Sequence, residues 1–160
     1  MEGWHDSIQD GQFARRIKRT VDKEQYFTSS GLVKKCLGLL NKYVNLNESG
    51  LVVEPSAGDG AFFNEIPQGV PKIGLDIDPR IDGLVKSSFF DWFPQEVRGS
   101  VVVVGNPPFG QRGAIAIRFI EHAATFADVI AFVLPRSFNK YTFKNRFPRK
   151  FHLLDSFDCD

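Results

Sequence analysis

Leu51-Val52-Val53-Glu54-Pro55-Ser56-Ala57-Gly58-Asp59-Gly60 is a short apolar run that breaks into a glycine-rich turn. Its first four residues read as a strand, and the stretch after the turn reads as a short helix that Pro67 ends. Residues 72–76 form a second strand closed by Pro79, and residues 84–89 read as a weaker third. Residues 101–104 are an unbroken run of valines, the pattern of a strand buried on both faces of a parallel sheet. Residues 114–126 carry helical spacing through Ile117, Ile120 and Ala124. Residues 129–134 read as a fifth strand, and residues 151–154 open a sixth. Upstream, Thr28, Ser29 and Ser30 offer N-caps to an amphipathic helix over residues 30–44, with Leu32, Val33, Cys36, Leu37, Leu40 and Tyr43 on one face.

Strands that alternate with helices imply parallel βαβ units. The expected fold is therefore α/β, a Rossmann-like doubly wound, mostly parallel sheet with helices on both faces. The 160 residues suit one domain over residues 26–160, preceded by a polar segment, 1–25, that reads as a short helix, a docking arm or a loose tail. Twenty basic against nineteen acidic residues give a net charge of +1, so the whole-chain charge makes no case for nucleic acid. Cys36 and Cys159 match no metal or redox spacing and read as reduced thiols. None of the three histidines has a metal-ligand partner at useful spacing, so no metal is expected. A polar N-terminus and the lack of a long apolar run argue against secretion and a membrane span, and for an intracellular setting, cytoplasmic or nuclear.

Ligands of such sheets bind at the carboxyl ends of the strands, where the glycine turn lies. Gly58 and Gly60 accept backbone angles closed to other residues and let a ligand approach the main chain. Asp76 ends the next strand, at roughly the 20-residue spacing where an acid meets ribose hydroxyls. The third glycine of a dinucleotide fingerprint is missing, with Phe63 in its place. That argues for a nucleoside-type cofactor without phosphates. An ordinary tight turn is the plainer alternative.

Gly105-Asn106-Pro107-Pro108-Phe109-Gly110 follows the fourth strand. Two prolines stiffen this turn and remove two amide donors, so carbonyls line it without competition. The Asn106 side-chain carbonyl and the Pro107 carbonyl can accept both hydrogens of a ring-conjugated amino group. Drawing on those hydrogens frees the nitrogen lone pair, and Phe109 can stack on the ring.

These motifs, in this order, resemble the class I S-adenosyl-L-methionine-dependent amino-methyltransferases, the superfamily of the adenine-specific DNA methyltransferases. The resemblance spans about residues 26–154. It implies S-adenosyl-L-methionine as cofactor and direct transfer of its methyl group to an exocyclic amino nitrogen, with a duplex base flipped out to reach the pocket. Tyr26, Phe27 and Thr28 would then wrap the methionine end. Glu54, Pro55, Ala57, Gly58, Asp59, Gly60 and Phe63 would form the first cofactor loop. Asp76 would meet the ribose and Ile77 the adenine. Asn106, Pro107, Pro108 and Phe109 would be catalytic, with Asn106 also touching the cofactor, and Leu134-Pro135-Arg136-Ser137-Phe138 would border the target. Two departures stand out. Ser88, before Phe89, occupies the place where the family often has an acid at the adenine end, and the nearest carboxylate is Asp91. A full domain of the class has seven strands where six are placed here. The C-terminal strands are thus incomplete, which implies a fragment, a partner subunit or a reduced module.

From residue 136 to 150, Arg136, Lys140, Lys144, Arg146, Arg149 and Lys150 stand without an acid, interleaved with Tyr141, Phe143 and Phe147. Such a mixture suits phosphates and exposed bases, and equally a solvated helix whose rings pack inward. Arg136, Lys140, Lys144 and Arg146, with Phe109, Gln111 and Arg112, are the substrate candidates. The expected function is methylation of adenine in DNA or RNA. Methylation of protein glutamine and a silent binding module or subunit are the alternatives.

Overall fold

The structure, a computed structural model, describes residues 28–159. The expected N-terminal segment, with Tyr26 and Phe27, lies outside the described residues. Five strands form a single parallel sheet: β1 (Leu51–Glu54), β2 (Lys72–Asp76), β3 (Val85–Lys86), β4 (Val101–Gly105) and β5 (Val129–Phe132), in the order β3-β2-β1-β4-β5. Helix α1 (Ser30–Leu40) covers one face and α2 (Ala114–Ala123) the other; a short α3 (Tyr141–Lys144) follows β5. This is the Rossmann-like α/β arrangement.

The valine run explains the two-sided burial. Val52, Val102 and Val104 point to the α1 face and pack with Val33, Leu37, Leu40 and Phe62. Val53, Val101 and Val103 point the other way and meet Ile115, Phe119 and Ala123 of α2 with Leu75 and Phe89. Alternation along a strand sends successive side chains to opposite faces, so a strand in the middle of a covered sheet must be apolar throughout. All five residues of β4 are buried.

Several expected boundaries shift, each for a local reason. Ser29 caps α1 by accepting from the Leu32 amide at 3.3 Å. The helix ends at Leu40 instead of running to residue 44, because the Lys42 and Tyr43 amides turn to carbonyls three residues back. The same tightening ends α2 at Ala123 rather than 126: Thr125 and Phe126 bond to His122 and Ala123. The short helix expected before Pro67 is a series of turns. The Phe63 amide, which a regular helix would give to a carbonyl four residues back, goes to the Glu54 carboxylate. β3 is only two residues long, and Ser88 leads into a 3-10 turn (Phe89–Asp91). β5 stops at Phe132, with one further bond from the Val133 amide to Gly105 before Pro135. No strand forms at residues 151–154: no ladder reaches them, and Leu153 and Leu154 stay exposed. Among the described residues, no helix is long and apolar enough to cross a membrane.

Leu75, fully buried in the centre of β2 against Val53 and Phe89, tests the packing. Leu75→Ala is expected to lower stability by about 2–5 kcal/mol, measured by urea unfolding. A change below about 1 kcal/mol would mean that this layer is loosely packed.

Candidate functional site

The strand order reverses between β1 and β4. There the loops leaving adjacent strands diverge and open a crevice, the place where doubly wound sheets bind ligands. The glycine turn leaves β1 on one side, and the Asn106 loop leaves β4 on the other. The two are joined: the Ser56 hydroxyl donates to the Asn106 carbonyl at 3.2 Å.

Asp76 holds the glycine turn. One carboxylate oxygen accepts from the Gly58 amide at 2.7 Å, and the other accepts from the Asp78 amide at 2.8 Å. The Ala57 amide bonds to the Leu75 carbonyl at 2.9 Å, and Arg80 donates its amide to the Gly58 carbonyl at 3.2 Å. Gly58 has φ 53°, and a Cβ built there would meet nothing within 4 Å, so the main chain is open to an approaching ligand. Gly60, at φ 77°, is closed on its side, where a Cβ would collide with Ile81. Asp59 is exposed, while Pro55 and Ala57 are buried.

Glu54 is only 2% exposed and accepts from the Phe62 and Phe63 amides at 3.4 and 2.7 Å. Burial pushes its carboxyl up from the ordinary 4.5 to about 8, and the nearby Asp59 and Asp76 push the same way, against the two amide bonds. Phe63 is half-buried and lies beneath the Lys72 ammonium, 4.5 Å from the ring centre.

Asn106 donates its side-chain NH2 to the Thr28 hydroxyl at 3.1 Å, bringing together two of the predicted residues. Its Oδ1 is buried and, among the described residues, has no partner. Pro107 is buried, and Pro108 and Phe109 are half-buried. The Phe109 carbonyl accepts from the Ile115 and Ala116 amides at 3.1 and 3.4 Å, capping α2 in place of a side chain. Its ring packs with Ala116, Ile117, Ile120 and Phe138.

At the β3 end, the Ser88 carbonyl accepts from Ser87. Phe89 is 2% exposed and belongs to the core, stacked on Phe119 at 5.2 Å with the His122 ring edge-on at 4.7 Å. Ile77 is half-buried against the same cluster. His122 also meets the Trp92 carbonyl at 3.0 Å, which gives it a packing role.

The basic segment divides. Phe143 and Phe147 turn inward and stack with Phe138, whereas Tyr141 is 77% exposed. Arg136 lies 3.7 Å from the Asp158 carboxylate, and Lys140, Gln111 and Arg112 are exposed. Nothing is described of the Lys144 side chain. A cavity of about 390 Å³ is lined by Arg112, Ser137, Thr142, Phe143 and Arg146. Ser137 belongs to the segment expected to border the target, whereas Ser56 and Thr142 had no signal in the sequence, since a hydroxyl beside a site is chosen by the fold around it. Among the described residues, no three His, Cys, Asp or Glu side chains group to hold a metal ion.

The Type II methyltransferase M.HincII of Haemophilus influenzae is 29% identical to this chain over 96 residues, 57% of this chain and 18% of that protein. The Type II methyltransferase M.HindII of Haemophilus influenzae (strain ATCC 51907 / DSM 11121 / KW20 / Rd) is 29% identical over 96 residues, covering 57% of this chain and 17% of its own length. Over these residues the chain is similar to two Type II methyltransferases. It matches less than a fifth of either relative's length. No protein-family model matches the chain, and no solved structure does.

The buried Glu54 makes the stability of the fold depend on pH. Its folded pKa of about 8 lies above the ordinary 4.5, so the folded state keeps a proton that the unfolded chain releases. The stabilisation is complete below pH 4.5 and is lost as pH rises to about 8. In urea unfolding across this range, Glu54→Gln is expected to remove that decline. Parallel profiles for the two proteins would mean that Glu54 titrates alike folded and unfolded.

Proposed function

We propose that this chain is the catalytic core of an S-adenosyl-L-methionine-dependent methyltransferase acting on the exocyclic amino nitrogen of adenine in DNA or RNA. The observation that carries the reading is the Asn106 Oδ1, buried without a partner at the end of β4. An unpaired buried acceptor costs about 1–3 kcal/mol, and such a group in a folded protein calls for an explanation. A substrate amino hydrogen supplies one. The kinship with two methyltransferases supports transfer of a methyl group as the reaction.

The residues present fit the cofactor. The open main chain at Gly58 would admit it, Asp76 keeps lone pairs for ribose hydroxyls beside its two amide bonds, and Thr28 and Asn106 would border its methionine end. When bound, its sulfonium offers an electrophilic methyl group. Asn106 Oδ1 accepts one hydrogen of the target amino group and draws the nitrogen lone pair out of the ring. The Thr28 bond and the Ser56 bond hold Asn106 in that orientation before substrate arrives, so no reorganisation is needed at the moment of transfer. Gly58, Asp76 and Thr28 would hold the S-adenosyl-L-methionine that supplies the methyl group to the nitrogen that Asn106 orients. Phe109 flanks the ring, and the nitrogen afterwards gives its extra proton to water.

Transfer of labelled methyl groups to adenine-containing oligonucleotides, set against a glutamine peptide, tests the reading. Incorporation into the peptide alone, or into neither, overturns it. Asn106→Ala is expected to lower transfer at least about a hundredfold while calorimetry still registers cofactor binding. Transfer unchanged in that variant would remove Asn106 from the catalytic role.

Asp76→Ala should act on the other half. It frees the Gly58 amide and deletes the ribose acceptor, so cofactor affinity is expected to fall about tenfold or more. Unchanged affinity would end the assignment of Asp76 to the ribose.

A further inference from the structure

Beside the catalytic loop lies the cavity of about 390 Å³ formed by Arg112, Ser137, Thr142, Phe143 and Arg146. We propose that it seats one phosphate of the nucleic-acid chain next to the target nucleotide, gripped by the two guanidinium groups with the two hydroxyls as further donors. The inference rests on the nucleic-acid reading above for the source of that phosphate.

The lining has the chemistry of an anion site. Each guanidinium presents a planar fork of donors matched to phosphate oxygens, and no carboxylate borders the cavity. Among the described residues, neither arginine has a carboxylate partner, whereas Arg136 nearby lies against Asp158. The Arg146 guanidinium lies 5.7 Å from the Phe143 ring centre, a contact that orients the group without neutralising it.

Backbone geometry aims Arg112. At φ 52° and ψ 31° it is the one non-glycine residue with positive φ among the described residues. Side chains avoid this left-handed region unless the surroundings impose it. Here both flanks are packed. A Cβ on Gly110 would lie 2.6 Å from the Ile115 side chain, and one on Gly113 would lie 2.5 Å from the Phe138 ring. The chain between the two glycines therefore has little freedom, and Arg112 is carried to the cavity wall.

Position supplies the remaining argument. Arg112 follows Phe109 by one turn of chain, and the Phe109 ring shares a cluster with Phe138 and with Phe143, which lines the cavity. A base whose amino group meets Asn106 is tied to its phosphates through a single sugar. A phosphate held here would anchor the extruded nucleotide and would need no sequence information.

Fluorescence anisotropy with the full chain tests this, using a labelled adenine-containing single strand and an oligothymidine of equal length. Arg112→Gln and Arg146→Gln are each expected to weaken binding of both strands about tenfold. The double variant should lose less than the product of the two, because both arginines hold one phosphate. Its salt slope should fall by about 0.7, the value of one single-strand phosphate. A neutral methylphosphonate beside the target adenine should reproduce the loss in the wild type and add nothing in the double variant. Arg112→Gly, which suits the left-handed backbone, replaces Arg112→Gln if the latter misfolds. Multiplicative losses with about twice that fall in slope would assign the arginines to separate phosphates and overturn the seat. So would unchanged affinity in both single variants, or a folded wild type that binds no oligonucleotide. Unchanged affinity alongside continued methylation of adenine defeats the seat and leaves the proposed function standing. Arginine-dependent binding of both strands without methyl transfer keeps the seat and defeats the methyltransferase reading.

Discussion

β1 pairs in parallel with β2 on one side and β4 on the other. Parallel neighbours cannot be joined by a tight hairpin, so each connection must leave the sheet, cross a face and return. The chain first winds outward from β1 through β2 to β3, then restarts on the other side of β1 with β4 and β5. Every feature of the site follows from this reversal. It sets the ends of β1 and β4 side by side while their loops diverge, and Ser56 closes the remaining gap with its bond to the Asn106 carbonyl.

The two buried carboxyls at adjacent strand ends meet burial in different ways. Asp76 has a short amide bond to each oxygen, from Gly58 and Asp78. Burial holds the Glu54 proton to about pH 8, aided by the nearby Asp59 and Asp76, against one short and one long amide bond that favour the anion. Asp76 therefore braces the glycine turn through two amide bonds, and Glu54 is a proton-bearing strut between β1 and the turns that follow. Cys36 offers no thiolate at neutral pH, since burial pushes its thiol up to about 11.

Phe109 ties the loop after β4 to the rest of the chain. Its carbonyl caps α2, and its ring enters the cluster formed by Ile117, Ile120 and Phe138. The same cluster supports Phe143 and Phe147, so the loop bearing Asn106 and the basic segment after β5 share one apolar base. A shift in either would be felt by the other, because packed rings have few alternative arrangements.

The sequence by itself determined the alternation of strands and helices, the two-sided burial of the valine run and the two loops at strand ends, because these depend on local periodicity and on glycine and proline. Ser29 as the cap of α1 was legible for the same reason. The folded structure shows where the helices stop: the last turns of α1 and α2 tighten onto carbonyls three residues back in the same helix. It turned the expected helix before Pro67 into turns, because Glu54, at the end of the preceding strand, takes the Phe62 and Phe63 amides. It left residues 151–154 without a strand, since a strand exists only through its neighbour. It also gave Asp76 its bond to Gly58, left Asn106 Oδ1 without a partner, and brought Arg112 and Arg146 to one cavity. Those relations join residues far apart in the chain, and no local pattern encodes a contact that only the folded sheet and its packed loops create.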